Sequence, residues 1–200
     1  PEDRFIELLV NTGRSLKSGG FKTILFLGES GGNRTGMRTA ATRLNELFGD
    51  GAKAYWIDDY YTKSHSDQNK YVTDHLKIPA DQIGGHANIL DTSEMMFVNP
   101  KHVRKDKLAP GGGYQNSGVS GDPTKSTPAL GKIFIQIKVD NAVAQIKSMI
   151  AGTYQAPEPA QRGAAGATGE GRQGGGRGGR GGRGGQAGDA AGAAAANPAP

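Results

Sequence analysis

The sequence predicts an α/β fold with a parallel sheet, and three observations support this prediction. Residues 21–27 and 52–58 are short runs rich in β-branched and aromatic side chains, as expected of buried strands. Segments with apolar residues at helical spacing precede, separate and follow these runs. A glycine-rich loop, residues 28–33, joins the first strand to the next helix, as in a doubly wound fold. In such folds ligands bind beyond the carboxyl ends of the strands, so we expect a site near this loop.

The first half of the chain predicts the order helix, strand, helix, strand. Residues 2–16 carry apolar side chains at roughly helical spacing, and a Gly-Gly pair ends this helix. Residues 36–48 predict the second helix, whose apolar side chains should face the sheet. The second strand, residues 52–58, ends in acidic side chains at the edge where the glycine-rich loop should lie.

The second half predicts mainly helices. Residues 66–77 and residues 94–98 both have helical spacing, and the Asp-Thr-Ser before the latter should cap it. Residues 107–123 predict a long irregular loop, of the kind that is usually functional or mobile. Residues 124–150 predict a long amphipathic helix, begun by a Thr-Pro pair, that should cover one face of the sheet.

Composition divides the chain into a folding domain, residues 1–151, and a tail, residues 152–200. The tail consists mostly of Gly, Ala, Pro, Gln and Arg, so it cannot bury enough apolar surface to fold, and we expect it to be disordered. Its Arg-Gly repeat is a weak RNA-binding signal, with a solubilising tail as the alternative. The net charge of +5 is too small for a dedicated nucleic-acid binder.

Two absences in the sequence exclude whole classes of protein. The chain has no Cys, which excludes disulfides, thiolate chemistry and cysteine-ligated zinc. It has no run of about 18 apolar residues, which excludes a membrane-spanning helix. The compartment stays open between the cytoplasm and, with a signal peptide before Pro1, the periplasm or the cell exterior.

Residues 84–94 contain the candidate catalytic pair. His86 and Asp91 follow two glycines and precede a predicted helix. An imidazole and a carboxylate held at such a junction can transfer protons or bind a metal. Solvated polar side chains in a loop are the alternative interpretation.

Further candidates lie at the predicted edge of the sheet. The loop at residues 28–33 could bind an anion at the start of a helix, although it lacks the Lys of a P-loop, and a tight turn is the alternative. Asp58 ends the second strand, and Trp56 and Tyr60 beside it either pack on a small planar substrate or belong to the core. Three histidines without a partner at ligand spacing are interpreted as surface residues: His65, His75 and His102.

Three segments together resemble the creatininase (creatinine amidohydrolase) family. Residues 20–33 are similar to the family's GF-strand-NGHGGN segment, and residues 85–94 are similar to its HAGxxETS segment. Residues 118–131 are similar to its GVxGDPxxAtaekG segment. Order and spacing agree over about residues 1–150, and the tail has no part in the resemblance.

The resemblance implies a three-layer α/β/α domain with a mostly parallel sheet, in a homo-oligomer. It implies metal-dependent hydrolysis, with zinc or manganese, of a C–N amide bond in a small and often cyclic substrate. The family's His and Glu of HAGxxETS fall on His86 and Asp91. His86 would pass a proton to the leaving nitrogen, and Asp91 would orient it or help to bind the water. From their place at the predicted edge of the sheet, the candidate substrate contacts are Ser30, Asn33, Trp56, Asp58 and Tyr60.

The chain departs from the family pattern in three places. The metal-binding His of NGHGGN aligns with Ser30, beside Glu29, which can replace one ligand. Asp91 is one methylene shorter than the family's Glu. The ExHGxHLPxxTD segment, which supplies most metal ligands, is not in this sequence. We therefore expect a C-terminal portion of the domain, with Glu29 and Asp91 as weak ligands and weak or no metal binding. A catalytically inactive binding or scaffold domain on the same fold is the alternative.

Overall fold

The computed structural model describes residues 1–112 and 117–155, and this part of the chain is rich in helix. Its α-helices are α1 (Glu2–Ser18), α2 (Arg34–Phe48), α3 (Thr62–Leu76), α4 (Ala80–Ile83), α5 (Ile89–Val98) and α6 (Pro128–Ile150). Its strands are β1 (Thr23–Phe26), β2 (Lys53–Trp56), β3 (Gly111–Gly112) and β4 (Ser120–Gly121). Within these ranges no helix has both the length and the apolar character that crossing a membrane requires. The predicted disorder of the tail falls almost wholly outside the described residues.

Strands β1 and β2 form the predicted parallel sheet, in register from Thr23 opposite Lys53 to Phe26 opposite Trp56. Helix α2 is the crossover that parallel pairing requires. The side chains of α1, α2, the two strands and the residue before β2 bury a common apolar core: Ile6, Ile24, Phe26, Met37, Ala40, Ala41, Leu44, Phe48, Ala52 and Ala54. The prediction of a mixed α/β fold with a parallel sheet is therefore confirmed.

A second core lies between α3, α5 and α6. Phe134 of α6 is fully buried there, among Val72, Ile83, Ile89 and Leu90. Helix α6 has the predicted start, because Thr127 Oγ1 accepts the amide hydrogen of Leu130, in the first helical turn, at 3.1 Å. Its main packing partner is α5, whereas the sequence predicts that it covers one face of the sheet.

Close packing between α5 and α6 depends on a glycine. A Cβ atom built on Gly131 would lie 1.9 Å from the carbonyl oxygen of Ser93, a distance that side chains never adopt. The Ser93 hydroxyl also accepts the amide hydrogen of Thr127, at 3.2 Å. Helix α6 therefore lies directly on the backbone of α5.

Helix α5 begins earlier than the sequence predicts, and its cap is a different residue. Asn88 Oδ1 accepts the amide hydrogens of Leu90 and Asp91 at 2.9 and 3.0 Å, and Asn88 Nδ2 donates to the carbonyl of Gly84 at 3.0 Å. An Asn side chain at this position satisfies amide groups that the helix leaves unpaired. The Asp-Thr-Ser predicted as the cap is therefore already inside the helix.

Backbone contacts fix the segment before α5 against the strand β4. Gly84 has a positive φ of 79°, and a Cβ atom there would lie 1.8 Å from the carbonyl oxygen of Ser120. The amide of Ser120 donates to the carbonyl of His86 at 2.8 Å, so these two segments of the chain pair through an antiparallel bridge. The segment predicted as an irregular loop therefore contributes short strands, β3 and β4, although residues 113–116 lie outside the described ranges.

Candidate functional site

A buried lysine between two carboxylates forms the centre of the candidate site. Lys138, on the inner face of α6, has a side chain only 6% exposed. Its Nζ donates to Glu29 Oε1 at 2.5 Å and to Glu94 Oε2 at 2.6 Å. Glu94 belongs to α5, and Glu29 follows β1, so the ammonium joins three separate parts of the chain.

Burial and pairing act in opposite directions on this cluster. Burial alone would lower the pKa of Lys138, but its hydrogen bonds to Glu29 and Glu94 raise that pKa above its ordinary value. Burial raises the pKa of Glu94, and the favourable contacts with Lys138 only partly oppose this. Gln68 supports the buried carboxylate, since its Nε2 donates to Glu94 Oε1 at 2.8 Å. Lys138 is therefore a charged, fixed group at neutral pH.

A cavity of about 480 Å³ opens beside this cluster. Glu29, Glu94 and Lys138 line it together with Tyr60 and Asp91. Burial raises the pKa of Tyr60, and the neighbouring carboxylate of Glu29 raises it further, so its hydroxyl stays protonated. The remaining wall is apolar and comes from Met95, Val98, Ile135 and Val139. The volume is suitable for a small organic ligand.

His65 lies close to the same cluster, and its interpretation as a surface residue is wrong. Its ring is half-buried and lies 4.4 Å from the ring of Tyr61. Burial lowers its pKa, and the nearby ammonium of Lys138 lowers it further. His65 is therefore a neutral imidazole at neutral pH. The interpretation holds for His75 and His102, which are exposed.

Asp91 is the sequence-predicted residue with the most informative position. Its Oδ2 accepts the amide hydrogen of Ala87 at 2.8 Å, which holds the carboxylate over the start of α5. Ala87 has a positive φ of 47°, an uncommon conformation for a residue with a side chain. Asp91 lines the cavity beside Lys138 and also a second cavity of about 450 Å³. His86 is exposed one residue before Ala87, where the backbone bridge to Ser120 fixes it.

The predicted substrate contacts do not all face this cavity. Tyr60 lines it, as does Glu29, which the sequence predicted as a weak metal ligand. Asp58 is instead held by Arg34 through two hydrogen bonds of 2.9 and 3.0 Å. Trp56 is half-buried, and the guanidinium of Arg34 lies 5.8 Å from the centre of its ring. Arg34 therefore interacts with both Asp58 and Trp56, and this contact beside the sheet is structural.

Ser30 and Asn33 remain in the loop that leads into α2. Both side chains are exposed, and the amide of Asn33 donates to the carbonyl of Ser30 at 3.0 Å. This bond closes a tight turn, as the alternative interpretation of the glycine-rich loop expects. Neither residue lines either of the two cavities.

Sequence reasoning missed Gln68, Glu94 and Lys138. One signal was available for Lys138, because it follows the buried Phe134 by one helical turn and therefore falls on the inner face of α6. A lysine at an inner position requires a buried partner. Which carboxylates would meet it could not be read from the sequence, because Glu29 is far away along the chain.

The described residues do not assemble a metal centre. No group of three or more His, Asp or Glu side chains that could hold a metal ion occurs within residues 1–112 and 117–155. Glu29 Oε1 already accepts a hydrogen bond from Lys138, and Asp91 Oδ2 already accepts one from Ala87. Because a catalytic metal takes about three protein ligands, Glu29 and Asp91 do not fit one by themselves.

Comparison with models of protein families gives a match. A family model described as "Creatininase: Creatinine amidohydrolase" matches residues 1–146, which is well over half of the chain. No curated protein matched the chain, and no solved structure matched it.

Proposed function

We propose an amidohydrolase function from one premise: the chain belongs to the creatininase (creatinine amidohydrolase) family. The proposed reaction is hydrolysis of a C–N amide bond in a small substrate, either cyclic or linear. The observation that carries it is the position of Asp91. In a chain matched to this family over residues 1–146, Asp91 lies at the wall shared by two ligand-sized cavities.

The proposed chemistry assigns proton transfer to Asp91 and His86. Asp91 accepts a proton from the attacking water, and the oxygen adds to the amide carbonyl carbon. His86 takes that proton from Asp91 and delivers it to the leaving nitrogen as the C–N bond breaks. The hydrogen bond from Ala87 to Asp91 Oδ2 supports this assignment, because it orients the carboxylate before substrate binds.

A divalent metal, zinc or manganese, is the cofactor that family membership suggests. Because Glu29 and Asp91 do not fit a metal site by themselves, the steps proposed here use only residues of this chain. We expect calorimetric titration of the 200-residue chain with zinc or manganese to show weak binding or none. Tight binding at one ion per chain would contradict this expectation.

Substrate contact is proposed mainly for Tyr60 and Glu29, which line the cavity beside Lys138. Ser30, Asn33, Trp56 and Asp58 are weaker candidates, since they lie outside both cavity walls. We also propose the family's three-layer α/β/α arrangement and a homo-oligomer. Light scattering on the purified chain would test the assembly.

The test of the proposed function is amide hydrolysis by three versions of the chain. Amine or ammonia release is measured over a panel of cyclic and linear amides, with EDTA and separately with zinc or manganese. Loss of a general base lowers the rate by about 10²–10⁴-fold, so Asp91→Asn should fall in that range. Asp81→Asn, an exposed carboxylate on α4, is the matched control and should keep the parent rate.

Two results would contradict the proposal. Failure of the parent chain to hydrolyse any amide of the panel under all conditions would remove the amidohydrolase function. Full activity of Asp91→Asn would leave the function but remove Asp91 from the reaction.

A further inference from the structure

Two cavities meet on the exposed side of helix α5. Asp91 and Met95 line both of them, and these two residues lie one helical turn apart on the same face. One cavity has a volume of about 480 Å³ and the other about 450 Å³. A ligand lying across α5 would therefore place its middle beside Asp91 and its two ends in separate cavities.

The two cavities differ in charge. Apart from the shared Asp91, the one beside α6 contains the carboxylates of Glu29 and Glu94 against the single ammonium of Lys138. Apart from the same Asp91, the charged side chains lining the other are Arg104 and Lys107, which are both positive. The first cavity is therefore negative and the second positive. We name them the acidic cavity and the basic cavity.

Charge of opposite sign at the two ends selects a ligand that has both charges. In the acidic cavity Lys138 is bonded to both glutamates, and Glu29 is still 49% exposed and can accept a cation from a ligand. In the basic cavity Arg104 can bind a carboxylate with two parallel hydrogen bonds. Apolar side chains also line both walls.

The two cavities share the wall that Asp91 and Met95 form, so a ligand need not be long to enter both. An extended chain of two residues spans about 7 Å, so a dipeptide is a small probe that carries one charge at each end.

We infer that the substrate of this site is a small zwitterionic amide. Its amine lies in the acidic cavity against Glu29, its carboxylate lies in the basic cavity against Arg104 and Lys107, and its amide bond lies beside Asp91. The inference rests on the proposed amidohydrolase function for the cleavage step. The preference for a ligand with charged ends does not rest on that function, because it concerns binding alone.

Four ligands of nearly equal size test the inference by calorimetric titration of the full chain. They are alanyl-leucine, its N-acetyl derivative, its C-terminal amide, and the doubly blocked form. Each lost charge should weaken binding about tenfold, which corresponds to about 1.4 kcal/mol. Equal affinity for all four forms, or no binding of alanyl-leucine, would overturn the inference.

Variants locate the two charges. The double variant Arg104→Gln with Lys107→Gln should weaken the binding of alanyl-leucine about tenfold and leave the affinity for its C-terminal amide unchanged. Glu29→Gln, which keeps an oxygen acceptor for Lys138, should weaken alanyl-leucine and leave the N-acetyl form unchanged. Lys105→Gln, on the same basic segment but outside the cavity wall, is the control and should bind as the parent does. An equal effect of all variants on all ligands would contradict the assigned positions.

Hydrolysis separates this inference from the proposed function. If neutral amides are cleaved without preference for charged ends, the amidohydrolase function stands and the substrate class is wrong. If alanyl-leucine binds with the expected charge preference but no amide is cleaved, the binding site stands and the proposed function is wrong.

Discussion

Replacing Lys138 with Met should destabilise the protein because it leaves a buried carboxylate without its cation. The change removes an ammonium that lies 2.5 and 2.6 Å from two carboxylate oxygens, while the unbranched Met side chain fills much of the same volume. Glu94 carries most of the cost, because its side chain is only 16% exposed. Glu29 is 49% exposed and can turn toward water, so its share is small.

The magnitude follows from this burial. Removing one partner of a buried ion pair costs about 3–5 kcal/mol. The free energy of unfolding of an ordinary domain is about 5–15 kcal/mol, so Lys138→Met removes a large fraction of the stability. We expect the free energy of unfolding to fall by about 3 kcal/mol, the lower end of the range, because Gln68 still donates to Glu94.

Urea denaturation followed by circular dichroism at pH 7 measures this loss. Lys132→Met, an exposed lysine on the same helix, is the matched control and should change the free energy of unfolding by less than about 0.5 kcal/mol. The double variant Lys138→Met with Glu94→Gln should recover most of the loss, since no buried charge then remains. The reasoning is refuted if Lys138→Met costs less than about 1 kcal/mol or if the double variant is no more stable than the single one.

The loss of stability caused by Lys138→Met should depend on pH. Burial raises the pKa of Glu94 in the folded protein, and losing Lys138 removes contacts that hold it down, so the pKa rises further. A carboxyl with a raised folded pKa contributes stability below its unfolded pKa and loses it as the pH rises through the folded pKa. The deficit of Lys138→Met should therefore grow from acidic to neutral pH. Lys138 itself, with a raised pKa, keeps its contribution until the pH exceeds its ordinary 10.5.

Three further substitutions test the packing that positions the site, each by urea denaturation. Asn88→Ala should lower the free energy of unfolding by about 1–2 kcal/mol because two amides at the start of α5 lose their acceptor, and exposed Asn11→Ala is its control. Gly131→Ala should cost about 1–3 kcal/mol or more because its methyl group meets the backbone of α5, whereas Gly85→Ala meets nothing within 4 Å and should be nearly neutral. Thr127→Ala should lower the free energy of unfolding by about 1 kcal/mol through the lost cap of α6. An unchanged stability would show that this hydrogen bond does not stabilise the protein.

The sequence predicts the local elements well because their signals are local. The apolar strand runs and the Thr-Pro start of α6 depend on neighbouring residues, and the structure has both. The cap of α5 was misplaced because Asn88 and the Asp-Thr-Ser after it are all good capping residues. Only the hydrogen bonds from the backbone to Asn88 Oδ1 decide between them.

The candidate site was harder to predict because its contacts connect distant parts of the chain. Asp91 was predicted from its own segment, and its position beside a cavity keeps it the best proposal. Asp58 was predicted from the end of a strand, but its carboxylate is bonded to Arg34, a contact that no local pattern indicates. Lys138 was missed because its helical position indicates burial but not its carboxylate partners.

Helix α5 links the stability of the fold to the chemistry proposed for it. It supplies Asp91 and Glu94, and its start is fixed by Asn88 while its other face lies against Gly131. A change that moves α5 against α6 would shift Glu94 relative to Lys138 and also alter the wall that the two cavities share. Gly131→Ala is therefore expected to weaken ligand binding as well as folding, although no atom of Gly131 lines either cavity.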